Sequence, residues 1–433
     1  MSFWRKLLGG AEPPRVNPDP FQREAPPPPA VVPVAEPPRP RAGVARDEII
    51  DAQTRICGYR YRVTEHGVGP AEVVEALADA GIKNMAQRRM ALLPMTAERW
   101  RSADYRPLIG PGTRFLFASL EAAEPALLAE IKAAGGQAAL NLKEVNLALR
   151  ARMQDFSLLF VDYPAFNLEA FEAQVRELKR VAPKMEVMVD GIATWPERRL
   201  CDSLGVHYCL GGFIATFDED QPQERLSESR MVLIEMLNRL RQEGELESLA
   251  EIAKRDPAVS VQLISMANSP MMALDRAITS VEQAILVLGR AQLYRWMTLA
   301  MFRVGGNRGK DESLLELALT RGRFLELVAA ETCTPSQCEE LFLVGLLSVF
   351  DALLGQPMSR ILSTMNLPEK VRAVLLQSEG PYTRLLLLAF AVERGRQEQV
   401  ERLSELLGLS QEQVQRSSEA ALAWAEEATG FGG

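Results

Sequence analysis

The chain has 433 residues, 47% of them hydrophobic, which is enough material for two or three packed domains. Its net charge of −8 excludes general binding to nucleic acid or to anionic membranes as the main activity. Five scattered cysteines and only two histidines, His66 and His207, argue against a zinc site and for free thiols in a reducing cytoplasm.

No apolar run approaches the length that spans a bilayer. The opening MSFWRKLLGG is too short for a signal-peptide core. Phe3, Trp4, Leu7 and Leu8 share one face of a two-turn helix, so residues 1–10 read as a short amphipathic head. Membrane contact is at most weak and confined to that head; the competing reading is a frayed tail. Residues 11–44 form a Pro-rich linker, with twelve of the 27 prolines between positions 13 and 40. Such a segment has too little apolar surface to fold, and in polyproline geometry it reaches at most roughly 90 Å.

Residues 45–217 alternate strand-like and helix-like runs. The strands are predicted at 47–51, 56–63, 90–95, 114–120, 137–141, 158–162, 185–190 and 206–211, and the helices at 71–81, 124–134, 167–181 and 195–204. Repeated β-α alternation implies a parallel sheet, and the number of units favours a small closed barrel. Residues 226–433 change to helix after helix. Asp256-Pro257 reads as a helix start, Ser280 and Gln283 as a capping box, and Gly289 as a helix end. Further helices are predicted at 312–330, 339–354, 369–377, 383–394, 397–408 and 411–427. The fold class is therefore α/β followed by all-α.

Chemistry in a parallel barrel sits at the C-terminal ends of its strands. Those positions hold Arg60, Pro94, Ala118, Asn141, Asp162, Asp190 and Leu210. Only two are carboxylates, whereas a hydrolytic Mg²⁺ site needs several oxygen ligands, and Arg60 brings a positive charge that opposes a metal. Asp162 and Asp190 are favoured as helix N-terminal caps. Arg60, Arg62, Arg198 and Arg199 are the cations that could meet a phosphate. In the helical half no histidine follows His207, Ser348 has no His partner for nucleophilic catalysis, and Asp351 reads as a partly exposed or capping acid. The glycine stretches at 110–112 and 305–309 lack the setting of a phosphate loop. Met271, Met272 and Leu274 follow a helix end at Pro270 and form a candidate docking patch.

The helical half resembles an HDOD domain, a modified relative of the HD-GYP phosphohydrolases. The resemblance lies in Arg255-Asp256-Pro257-Ala258, in Leu263 to Ser269 (LISMANS), in Ile278-Thr279-Ser280-Val281, in Gln283-Ala284-Ile285 and in Leu288-Gly289. HDOD domains characteristically lack the catalytic histidines, as this chain does. The first half is similar, in the order of its segments, to EAL domains, the β/α barrels that hydrolyse cyclic di-GMP. Where that family places its first metal-binding Glu, this chain has Arg60; its Asn strand corresponds to Leu93 or Pro94, and its next Glu to Ala118. Its Asp-Asp-Phe motif falls on Asn141-Leu142-Lys143, and its Lys before Asp on Phe160, with Asp162 kept. Its Glu-Gly-Val-Glu-Thr falls on Asp190 to Thr194, and its Gln-Gly on Leu210-Gly211.

The resemblance implies a compact EAL-like, TIM-type barrel followed by an HDOD helical domain, in a bacterial signal-transduction protein. On that reading Asp162 and Asp190 are remnants of a metal site, and the chain is no enzyme and takes no cofactor. It acts as a cytoplasmic adaptor for signalling proteins, with no nucleic-acid partner. The alternatives are an inactive receptor that binds cyclic di-GMP and, further behind, a cyclic di-GMP phosphodiesterase.

Overall fold

Eight strands close into a barrel in chain order. In this computed structural model the residues described are 43–64, 68–220, 226–242, 246–268, 277–304 and 308–429. The N-terminal head, the linker to residue 42, His66, the loop carrying Met271, Met272 and Leu274, and Gly305 to Asn307 all lie outside them. The strands are β1 (Gly43–Asp51), β2 (Ile56–Thr64), β3 (Met90–Pro94), β4 (Thr113–Phe117), β5 (Gln137–Asn141), β6 (Leu158–Asp162), β7 (Glu186–Asp190) and β8 (Tyr208–Leu210).

Strands β2 to β8 pair parallel, as the alternation predicts. Strand β1 departs from that expectation. It starts at Gly43 and runs antiparallel to both neighbours, β2 and β8. The reason is the connection: only residues 52–55 separate β1 from β2, and a turn that short permits only a hairpin. The Asp51 carboxylate closes the turn by accepting from the amides of Gln53 at 2.8 Å and Arg55 at 3.0 Å.

Helices follow the later strands and cover the outside of the barrel: α1 (Pro70–Asp79), α2 (Ile82–Met85), α3 (Ala97–Ser102), α4 (Pro125–Ala133), α5 (Leu147–Arg152), α6 (Leu168–Val181) and α7 (Trp195–Ser203). The three short ones, α2, α3 and α5, span at most six residues and have no counterpart among the predicted elements. Strand periodicity sends alternate side chains inward. Ile49, Met90, Leu92, Ala139, Leu158, Phe160, Met188 and Leu210 form a buried plug, so the barrel is a packed core and not a pore. Its N-terminal end is closed by Arg114, which donates to Glu186 at 2.6 Å, while the Tyr208 hydroxyl donates to the same carboxylate at 3.0 Å. Nearby, His207 Nδ1 accepts from the Val187 amide at 3.1 Å, a structural role.

The helical half comprises α8 (Glu228–Arg241), α9 (Leu246–Ala253), α10 (Pro257–Ala267), α11 (Val281–Ala300), α12 (Arg308–Val328), α13 (Pro335–Leu347), α14 (Phe350–Leu354), α15 (Met358–Thr364), α16 (Glu369–Gln377), α17 (Thr383–Glu393), α18 (Gln397–Leu407) and α19 (Gln411–Thr429). Asp256 caps α10 as predicted, accepting from Ala258 at 2.7 Å and Val259 at 3.1 Å. Ser280 caps α11 by accepting from the Gln283 amide, but Gln283 reaches back to Thr279 at 3.5 Å, so the box is incomplete. Gly289 ends the first helical segment of α11, as predicted, and a second segment follows it directly. It adopts φ +64 and kinks α11, which continues to Ala300, and only glycine takes that conformation without strain. The predicted helix 339–354 is two helices, broken where Ser348 donates to the Gly345 carbonyl at 2.6 Å and accepts from Arg321 at 2.5 Å.

A βα unit supplies its own outer cover, and the β1–β2 hairpin has none. Its outward face, with Val44, Ile50, Tyr59 and Tyr61 buried, is covered by α12, α17 and α19. Ser313 on α12 donates to the Thr54 carbonyl and accepts from the Ile56 amide, both at 2.9 Å. Gln415 on α19 donates to the Val44 carbonyl at 3.2 Å.

Candidate functional site

The mouth of the barrel, at the C-terminal ends of its parallel strands, is cross-linked by ion pairs. On the inner face of the hairpin, Asp47 on β1 sits opposite Arg60 on β2. Arg60 Nε donates to Asp47 Oδ2 at 2.9 Å, and its Nη1 donates across the mouth to Asp190 on β7. Arg62, two residues on and so on the same face, donates to both Asp47 oxygens at 2.7 and 2.8 Å. The other Asp190 oxygen accepts from the Gly191 amide at 2.9 Å.

Asp47, Arg60 and Asp190 are about four-fifths buried. Burial pushes the Asp190 carboxyl up from its ordinary range, with Arg60 pulling the other way. Burial likewise works against the Arg60 cation, but Asp47 and Asp190 outweigh it and hold the guanidinium charged. Both Asp190 oxygens accept hydrogen bonds from donors that cannot give up their role, so the ionised form fits the geometry.

Asp190 therefore caps no helix, contrary to the favoured reading; an arginine three strands away in the closed barrel claims it first. Helix α7 is capped instead by Thr194 with Glu197 in a full capping box. Asp162 precedes the 3₁₀ turn Tyr163–Ala165 without a side-chain capping bond, so it is no cap either. Asp162 and Asp190 are neighbours across β6 and β7. Asp162 makes no ion pair or side-chain hydrogen bond among the described residues.

The donor set does not fit a divalent metal. Among the described residues, no three His, Cys, Asp or Glu side chains are grouped so as to hold one. Of the two carboxylates at the strand ends, Asp190 is already bound to a cation of its own chain. The four arginines that could meet a phosphate are also engaged internally. Arg60 and Arg62 pair with Asp47 and Asp190. Arg198 is 1% exposed and donates to Cys209 Sγ and the Asp51 carbonyl, both at 3.1 Å, and Arg199 pairs with Asp218 and Asp220. The residue missed by sequence reasoning is Asp47. Its signal was the alternation in GVARDEIID, which sets Asp47 opposite in facing to Arg46 and Glu48.

In the helical half, Asn268 of the LISMANS run ends α10 and bridges to Ile278. Its amide donates to the Ile264 carbonyl at 3.0 Å and the Ile278 carbonyl at 2.7 Å, and its oxygen accepts from the Ile278 amide at 2.7 Å. Asp351 lies within α14, half-buried, and accepts from the amide of its neighbour Ala352; the helix has no side-chain cap, so of the two readings the partly exposed acid holds.

Residues 226–364 match the HDOD domain family. The chain thus carries an HDOD domain behind an eight-strand barrel. Among curated relatives, the uncharacterised protein YuxH of Bacillus subtilis is 28% identical over 162 residues, covering 37% of this chain and 39% of that one. The cyclic di-GMP phosphodiesterase CdgJ of Vibrio cholerae is 25% identical over 268 residues, 62% of each chain. The chain thus spans less than two thirds of the length of either. Among solved structures, the FimX EAL domain of Xanthomonas citri in complex with c-diGMP aligns at TM-score 0.33 and 15% identity, covering 40% of this chain and 87% of that one. A standalone EAL protein of Vibrio cholerae O395, in its c-di-GMP bound form, aligns at TM-score 0.28 and 13% identity, covering 39% and 89%. The HDOD match ends at α15, so α16 to α19 lie beyond it. No helix among the described residues is long and apolar enough to cross a membrane.

Proposed function

We propose that this EAL-plus-HDOD chain is a non-catalytic regulatory protein of bacterial signal transduction, acting through protein–protein contacts of its HDOD domain. The observation that carries the reading is the Arg60–Asp190 pair, which sets an arginine of the chain itself where a metal-dependent hydrolase needs oxygen ligands. The five free cysteines are in keeping with work in the cytoplasm. Met271, Met272 and Leu274 are the proposed partner patch, placed by sequence beside the Asn268 clamp.

Relatedness to a protein named as a cyclic di-GMP phosphodiesterase makes that nucleotide the ligand to try. Titration calorimetry of the full chain with cyclic di-GMP separates an adaptor, which gives no binding heat, from a receptor, which gives a saturable one. Met271→Ser with Met272→Ser, in a variant whose melting curve is unchanged, is expected to lose partner proteins in a pull-down. A folded double variant that keeps every partner places the contact elsewhere.

A further inference from the structure

We propose that β1 is a transmission strand: it ties the barrel mouth to the helices behind it, so that disturbing the Asp47–Arg60–Arg62 cluster changes the seating of the helical half. The joint between the halves works in this way whether or not the chain is an adaptor.

Successive residues of β1 serve opposite sides. Asp47 faces inward and holds Arg60 and Arg62. Arg46 faces outward. It pairs with Glu426 on α19 and lies 3.9 Å from Glu316 on α12, with its guanidinium 4.0 Å from the centre of the Tyr59 ring. Arg89, just before β3, donates to the Tyr59 hydroxyl at 2.7 Å and to Glu316 at 3.2 Å. Arg46 is 6% exposed and pairs with Glu426, and Glu316 beside it is 4% exposed, so this joint is a buried polar core built round the Arg46–Glu426 ion pair. Pairs of that kind hold only in one geometry, because a displaced partner leaves an uncompensated charge away from water.

The mouth also touches the helical half directly. The turn between α17 and α18 carries Gly395 at φ +57, and a Cβ there would fall on the Arg62 guanidinium. Arg62 thus lies flat against the backbone of that turn while it holds Asp47. Beside it, Glu393 at the end of α17 is held by Arg321 of α12 at 2.7 Å. A group that draws Arg62 or Arg60 away from Asp47 must lift Arg62 off the Gly395 turn, or shift β1 and with it Arg46. Two routes, one through Arg62 and one through β1, therefore lead from the mouth to α12, α17 and α19. Coupling of this sort is reciprocal, so the helices must act back on the mouth. The last two of these helices lie beyond the HDOD match, and their role in this joint is to clasp the barrel.

Amide hydrogen exchange of the full chain tests this. Asp47→Asn keeps the shape and removes the charge. It is expected to speed exchange of the Gly395 and Arg396 amides, which close the α17–α18 turn, about tenfold, leaving β4 and β5 on the far side of the barrel unchanged. Should Asp47→Asn not fold, Arg62→Lys serves, because it keeps the charge and loses the two-pronged contact. Gly395→Ala tests the reverse direction and is expected to speed exchange in β2 and β7. Arg150→Ala, which breaks an exposed pair with Glu177, is the control and should leave the helices unchanged. Faster exchange confined to β1, β2 and β7 in Asp47→Asn or Arg62→Lys would overturn the proposal. So would equal acceleration in β4 and β5, which would report lost global stability and no joint.

Discussion

Arg60 lies midway along β2, four-fifths buried, with a carboxylate on either side of it. Removing one member of such a cluster strands the others: Arg60→Met or Asp190→Leu alone is expected to cost about 2 kcal/mol, below the range for fully buried pairs because some water reaches the mouth. The double variant should cost less than the sum by about 1 kcal/mol or more, since it leaves no orphan charge between them; urea unfolding of the four proteins measures this. Simple additivity would mean that the two side chains do not interact. Glu316 makes a second residue-scale prediction. Burial pushes its carboxyl up to about 8, against the pull of Arg46. Between the carboxylate's ordinary value near 4.5 and about 8, the folded chain then holds a proton that the unfolded chain has lost. Stability therefore falls as pH rises through that window and levels off above it. Glu316→Gln should flatten this part of the pH–stability curve relative to the parent; an unchanged slope would show that Glu316 is ionised throughout.

The β1–β2 hairpin is the element that departs from the repeating unit, and its needs explain how the halves meet. With no crossover helix of its own, it presents apolar residues and two edge groups, the Thr54 carbonyl and Ile56 amide, to α12, where Ser313 satisfies both. Ser313→Ala leaves them unpaired at a buried site and should cost about 1–3 kcal/mol in urea unfolding. A change below a few tenths would mean that water replaces the hydroxyl. The same hairpin shows what is legible in a sequence. The bounds of β5, β6 and α16 agree with the predicted 137–141, 158–162 and 369–377, because turn and cap residues flank apolar runs there. The direction of β1 and its partners Glu316 and Glu426 were not legible, since they lie in helices more than 250 residues away. Helices α2, α3 and α5 are too short to show a period. At the site, that Arg60 and Ala118 are not oxygen ligands could be read directly from their residue types. That Asp190 is held by Arg60 could not, because it depends on the barrel closing β2 and β7 toward one another.

At the scale of the whole chain, a barrel sealed by ion pairs stands before an HDOD domain whose helix-capping signature is intact at Asp256, Asn268 and Ser280. That contrast, a mouth closed by its own residues and a helical module in good order, is the basis of the proposed regulatory role without catalysis. Turnover is the most direct test of that role. Purified full-length protein, incubated with cyclic di-GMP and either Mg²⁺ or Mn²⁺, is predicted to release no linear product above a metal-free control. Metal-dependent turnover that disappears in Asp190→Ala would contradict it.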